Sequence, residues 1–290
     1  MEKNEINGWL NINKPYGFSS AKVVAIIKRI LKAKKVGHGG TLDPLAVGVL
    51  PICINKATKT TEKTMGFTKE YLFDITFGEL RSTADAEGEV IDKNDKIPTE
   101  NDILKIIPEF IGKIKQVPPK YSALKINGKR ACDIMRDGGE VEIQEREIEI
   151  LNLKYNGFVN ENTVEFIVDC SRGTYIRTLG VDIAKKLNCL GFISKLTRLR
   201  VGDFYIDNSL QIDGNVDVDF IKNQLISIND VLKFDSVLCS DEEIAKLSNG
   251  IMIDKDIKEN TIYKIIDKNN NVLFLGEKYK NKMKTIKSFH

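Results

Sequence analysis

The segment SSAKVVAIIKRILKAKK sets Val23, Ile26, Ile27, Ile30 and Leu31 at helical spacing, with lysines and Arg29 on the opposite face. It predicts a basic amphipathic helix with serine caps before it. EYLFDITFG alternates and is rich in aromatic and β-branched residues, so it reads as a strand, and RSTADAEGEV follows as a polar loop. TENDILKIIPEFIGKI predicts a short helix opened by a Thr99–Asp102 capping box and interrupted at Pro108. NTVEFIVDCS reads as a second alternating strand. TYIRTLGVDIAKKL then predicts a helix that turns Ile176, Leu179, Ile183 and Leu187 inward and carries Arg177 in its first turn.

Elsewhere the pattern lapses. QVPPKYSALKINGKRACDIMRDGGEVE holds two prolines, Gly128, Gly138, Gly139 and dense basic residues, so a long exposed excursion is expected there. After Asp203 the chain turns acidic (Asp207, Asp213, Asp217, Asp219, Asp230), which reads as the edge of a main domain and a connection. From about Phe234, NTIYKIID and NVLFLGEKY flank KNN and predict a hairpin in a small β-rich module. Two domains are therefore expected, residues 1–233 and 234–290.

Composition sharpens this in three ways. A chain of 290 residues with 42% hydrophobic positions can bury a sizeable core. The five cysteines are scattered and form no C-x-x-C pair, and one of the two histidines is the last residue, so neither a disulfide framework nor a metal centre is expected. No apolar run approaches a membrane span and no secretory pattern opens the chain, so a cytoplasmic protein is expected. The net charge is only +3, but its distribution is uneven. Met1–Val36 carries eight Lys/Arg against two acids, Pro118–Arg136 five against one, and Lys278–Lys287 five against none. Three basic blocks on a near-neutral chain point to a polyanion bound over an extended surface.

One stretch points to chemistry. KKVGHGGTLDPLAVGVLPICI places a single carboxylate, Asp43, between a basic approach and a proline. Pro44 biases Asp43 to an extended conformation, and Gly37, Gly39 and Gly40 leave room for a bulky ligand near the main chain. Such a carboxylate could serve as nucleophile, general base, metal ligand or turn-former. A metal role is disfavoured because no second carboxylate or histidine stands at ligand spacing. The G-x-x-x-x-G-K-[ST] phosphate loop is missing too.

GHGGTLDPLAVGVLPICINKATK resembles the signature of the TruB family of tRNA pseudouridine-55 synthases. INKPYGFSS, KEYLFDITFG, QVPPKYSALKINGKRACDIMR and CSRGTYIRTLGVDIAKKL match further motifs in the family's order, and LTRLRVGDF closes the domain. Together they span most of Ile12 to Phe204. The resemblance implies an α+β fold, the pseudouridine synthase fold, with a mostly antiparallel mixed sheet flanked by helices. It also implies roles. Asp43 attacks the target uridine, at the ribose C1′ or the uracil C6, so that uracil detaches, rotates and reattaches through carbon. Arg177 pairs with that carboxylate, and Tyr71 stacks on the uracil and assists proton removal from C5. His38 helps hold the flipped nucleotide, Tyr175 and Leu196 line the base pocket, and Lys14 with Pro15 buttresses the site. Residues 118–142 resemble a flexible RNA-binding thumb. The C-terminal module resembles a short PUA-type RNA-binding domain, and Asp85 receives no role.

The implied reaction isomerises a base already in the RNA, so it requires no cofactor. The implied partner is the tRNA T stem-loop, bound by a monomer, with no membrane and no small-molecule cofactor. A flipped base needs an aromatic shelf, which Tyr71 and Tyr175 can supply. A second reading, an RNA-binding or RNA-folding protein independent of Asp43, stands beside the enzyme. A third, an aspartate-nucleophile hydrolase of small molecules, is disfavoured by the basic blocks.

Overall fold

The computed structural model describes residues 6–62, 66–126, 128–212 and 217–289; Glu2, Lys3 and Glu5 of the first basic block and Asp213 of the acidic stretch lie outside them. Along the first half run β1 (Gly8–Lys14), β2 (Val36–His38), β3 (Val47–Ile54), β4 (Lys69–Phe77), β5 (Glu79–Arg81), β6 (Val90–Lys93), β7 (Gly112–Gln116), β8 (Lys125–Ile126) and β9 (Lys129–Arg130). The second half adds β10 (Arg146–Asn160), β11 (Thr163–Cys170), β12 (Gly191–Val201), β13 (Phe204–Tyr205) and β14 (Leu210–Gln211). The C-terminal part holds β15 (Ser236–Leu238), β16 (Tyr263–Ile266), β17 (Val272–Tyr279) and β18 (Lys282–Ser288).

Among the described residues, ten strands form one sheet in the order β14-β1-β3-β12-β4-β11-β10-β7, with β2 beside β3 and β13 beside β12. Only β14–β1 and β12–β3 run parallel, so the sheet is mixed and mostly antiparallel. Alternation sends Leu10, Ile12, Leu50 and Ile52 to one face, against Val23 and Ile27 of the helix Ser20–Leu31. Phe73, Ile75 and Phe166 extend that face beneath Leu179 and Ile183 of the helix Ile176–Lys186. Trp9, Val49, Cys53, Val201 and Phe204 point the other way into a second cluster. β1 and β3 are thus buried on both faces, which makes the middle of the sheet a rigid floor.

Several expectations change. Pro108 does not interrupt its helix, which runs Glu100–Phe110. In the last turn the ring's fixed φ is helical and only one backbone bond is forgone. Leu187 is the C-cap of its helix and only half-buried, though it still packs against the core. The acidic stretch is more than a connection: β14 joins the sheet edge, and Ile226 exchanges two backbone hydrogen bonds of 2.8 Å with Trp9. The C-terminal lysines belong to the β17–β18 hairpin, Lys280 in its turn and the rest in its strands, where Met283 is buried between Lys282 and Lys284.

The four C-terminal strands form a separate sheet, β15-β16-β17-β18, over its own cluster of Tyr263, Ile265, Phe274 and Met283. β16 and β17 are the two arms of the expected hairpin. Leu275 and Phe289 meet Leu232 at its junction with the rest of the chain.

Gly48 marks how closely β3 approaches β12. Its φ is +101°, and a Cβ there would stand 2.3 Å from the Arg198 carbonyl oxygen. Both obstacles are backbone, so neither relaxes cheaply. Gly48→Ala is expected to cost at least about 2 kcal/mol, read as a fall in melting temperature of about 4 °C or more. An unchanged melting temperature would contradict this packing.

Candidate active site

The glycine-rich turn that carries Asp43 is pinned from three sides. Arg198, buried in β12, donates from Nε to the Val49 carbonyl at 2.6 Å, from Nη2 to Gly40 at 3.0 Å and from Nη1 to Thr41 at 3.4 Å. Ser20, at the start of the basic helix, brackets Leu42. Its hydroxyl accepts the Leu42 N–H at 2.9 Å and donates to the Leu42 carbonyl at 3.0 Å. Lys14, fully buried, donates to the carbonyls of Pro15, Phe18 and Pro44 at 2.9, 2.6 and 3.1 Å. Burial lowers the Lys14 ammonium to about 8, against the pull of Asp43. The Gly17 N–H also donates to the Pro44 carbonyl, at 2.9 Å. These bonds leave the Asp43 backbone little freedom.

Arg177 approaches from across the cleft. Its Nε lies 2.9 Å from Asp43 Oδ2 and its Nη1 3.5 Å from Asp85 Oδ2. The Nε–H is not aimed at the Asp43 oxygen, so this is a close ion pair and not a directed hydrogen bond. Nη1 donates to the Thr83 carbonyl at 3.1 Å and Nη2 to the Tyr121 carbonyl at 2.8 Å. The excursion is therefore not wholly exposed: Tyr121 holds the arginine, and Ser122, Ala123 and Leu124 line the cleft. The bulk of its charge does face solvent, at Lys120, Lys125, Lys129, Arg130 and Arg136.

Burial dominates the electrostatics of the pair. Burial pushes the Asp43 carboxyl above its ordinary range, Arg177 pulls it down, and Asp85 adds to the rise. Desolvation outweighs the guanidinium, so Arg177 limits the rise and does not depress the group. Tyr71, buried and directly across the ladder from Arg198, is likewise pushed up by desolvation and stays a neutral phenol at neutral pH.

Asp43, Tyr71, Tyr175, Arg177 and Leu196 line one cleft of about 550 Å³. Two expected residues stand outside that lining. Lys14 lies beneath the turn, and His38 sits on β2, where its Nδ1 accepts the Gly40 N–H at 3.4 Å and burial lowers its pKa. Gly40, with φ +131°, does line the cleft. Gly37 instead packs: a Cβ there would meet Cys53 Sγ at 3.1 Å.

Sequence reasoning passed over Lys69, Arg146, Arg172 and Arg198, which with Arg177 give the cleft five cations against Asp43 and Glu147. Burial and Arg198 bring Lys69 down to about 8. A signal existed for Arg198, since strand period two sets it on the same face as Leu196. Asp85 offered none. It sits in a polar loop, accepts hydrogen bonds from the Thr83 hydroxyl and the Glu87 N–H, and is buried only because the loop folds onto β12.

The raised Asp43 carboxyl makes a prediction whose sign is fixed. A folded-state pKa above the unfolded one means the folded protein bears a cost while Asp43 is ionised, which vanishes once both states are protonated. Asp43→Asn is therefore expected to melt above wild type at pH 7, the advantage shrinking as pH falls toward the usual carboxylate range near 3.8. Thermal melts at pH 7 and at about pH 4 check this; a lower melting temperature at pH 7 would show that the Arg177 pairing dominates instead.

Residues 28–176 match the model of the "TruB family pseudouridylate synthase (N terminal domain)". The chain is 42% identical over 266 residues to tRNA pseudouridine synthase B of Ehrlichia canis (strain Jake), covering 89% of this chain and 87% of that protein. It is 40% identical over 289 residues to the protein of the same name in Rickettsia bellii (strain RML369-C), covering 97% and 94%. Among solved structures, a chain in the crystal structure of a Cbf5-Nop10-Gar1 complex superposes with a TM-score of 0.72, covering 99% of this chain and 85% of that one. At 24% identity that likeness is one of fold. The chain belongs to the TruB family of pseudouridylate synthases.

Proposed function

We propose that this protein isomerises a uridine of tRNA, the T-loop uridine at position 55, to pseudouridine. The observation that carries the reading is the pairing of Asp43 with Arg177 at 2.9 Å, beside the Tyr71 ring, in a cleft whose charged lining is mostly cationic. The Asp43 carboxylate adds to the flipped nucleotide as nucleophile. The N1–C1′ bond breaks, the uracil turns over, and C5 bonds to C1′. The bond to Asp43 breaks again, C5 loses its proton and N1 gains one, so the product has the composition of the substrate and no redox step occurs. Tyr71 and Tyr175 receive the extruded base, a stacking contribution of roughly 1–3 kcal/mol per base. Neutral Tyr71 serves as shelf and hydrogen-bond partner, since burial disfavours the phenolate a base would require. Arg177 holds the carboxylate in place and balances its charge before attack.

RNA phosphates are met by the exposed lysines of the helix Ser20–Leu31, by residues 118–142 acting as a thumb, and by a PUA-like module at 234–290. His38 and Leu196 help hold and enclose the nucleotide, and Lys14 steadies the turn below it. The protein acts as a monomer in the cytoplasm. No described helix is long and apolar enough to cross a membrane.

A T-arm hairpin labelled with tritium at uracil C5 tests the reading. Wild type is expected to release label, and Asp43→Asn to release none while binding the hairpin with unchanged affinity. Label release should also fall with acid as Asp43 protonates, with its midpoint above the ordinary carboxylate value of 3.8. No release from wild type would overturn the proposal, and release by Asp43→Asn would show that Asp43 is not the nucleophile.

A further inference from the structure

Two side chains at the base of the excursion converge on Tyr175. The chain leaves the sheet after Gln116, the last residue of β7, and returns at Arg146, the first of β10; the two are direct partners in the antiparallel ladder. Gln116 is buried, and its amide closes a two-point clamp on the Tyr175 backbone. Oε1 accepts the Tyr175 N–H at 2.8 Å and Nε2 donates to the Tyr175 carbonyl at 3.1 Å. Arg146 lays its guanidinium over the Tyr175 ring, 4.8 Å from the centroid, while Nη2 donates to the Gly173 carbonyl. Gly173, with φ +84°, turns tightly under that guanidinium: a Cβ there would stand 3.4 Å from Arg146 Cζ.

The Arg146 placement is not explained by its own hydrogen bonding. Its Nε is buried and has no hydrogen-bond partner, and an orphaned donor costs free energy. What the side chain gains is a planar contact with one ring, a geometry that lysine cannot reproduce. Tyr175 is also the N-cap residue of the helix Ile176–Lys186, yet its own side chain makes no capping bond. The backbone N–H there is held from outside, by Gln116.

We propose that Gln116 and Arg146 are positioning residues that fix Tyr175 in the base pocket and tie it to both stalks of the excursion. The clamp sets where the Tyr175 backbone lies, and the guanidinium sets the plane of the ring. A segment that reaches over the RNA and the wall that receives the base then share one anchorage. This rests on the synthase reading above, in which Tyr175 faces the flipped nucleotide.

A double-mutant cycle tests it, with single-turnover tritium release at saturating enzyme as one readout and T-arm hairpin affinity, by fluorescence anisotropy, as the other. Arg146→Lys keeps the charge but loses the planar contact. It is expected to slow release about tenfold, as a misplaced contact does, with hairpin affinity changed less than about twofold. Gln116→Ala is expected to do the same. In a Tyr175→Leu background each substitution should slow release by less than about twofold further, because the ring it positions is gone. Wild-type rate in Arg146→Lys, or full multiplication of the effects in the Tyr175→Leu background, would overturn the positioning role. Should buried Gln116→Ala fail to fold, by its melting curve, the Arg146→Lys cycle decides alone. Loss of hairpin affinity in Arg146→Lys without slower release would assign Arg146 to charge alone and likewise overturn it. Absence of release from wild type would overturn the synthase reading itself, and this inference with it.

Discussion

The Arg177 guanidinium ties four separate segments of the chain together, its own helix and three others. Asp43 comes from the glycine-rich turn, Asp85 and the Thr83 carbonyl from the loop after β5, and the Tyr121 carbonyl from the excursion. Arg177 itself comes from a helix's first turn, where a cation is disfavoured by the helix dipole. A buried charge of this kind is tolerated only when it is well supplied with partners, and Asp85 with the two carbonyls still holds Arg177 when Asp43 is neutral. The four segments are therefore obliged to arrive together. What the arrangement yields is definition of position, not net stability.

The same logic runs through the floor of the site. Lys14 and Lys69 are buried ammonium groups whose partners are carbonyl oxygens, and burial brings both to about 8. Arg198 turns its three donors onto the backbone of the turn and of β3. The chain holds polar groups at low exposure where an apolar core would be more stable, and the two-sided packing of β1 and β3 offsets that cost. A carboxylate pressed upward by desolvation but restrained by a guanidinium is held short of relaxation into solvent. In the proposed reaction, that is the state from which Asp43 attacks.

Sequence reading reached much of this because the relevant signals are local. The helices at Ser20–Leu31 and Ile176–Lys186, the strands around Phe73 and Phe166 and the β16–β17 hairpin all follow from period, caps and turn residues. Its errors had different causes. Pro108 was assigned to break a helix, but in a final turn a proline costs a single bond. The acidic stretch between about 203 and 233 is weakly patterned, yet β14 and Ile226 close the sheet edge through backbone pairing, which does not depend on side-chain type.

Motif order determined which residue carries the carboxylate, which the arginine and which the aromatic ring, because those identities are written in short contiguous stretches. Only the tertiary structure decided how they act on one another. The sign of the Asp43 shift depends on how much water the fold excludes, a quantity that belongs to no single segment. Asp85, Arg198, Gln116 and Arg146 enter the site through contacts between positions far apart in sequence, as from Gln116 to Tyr175, fifty-nine residues on. Residue chemistry is local, and the low dielectric and shared partners that give it a function arise only when distant segments pack.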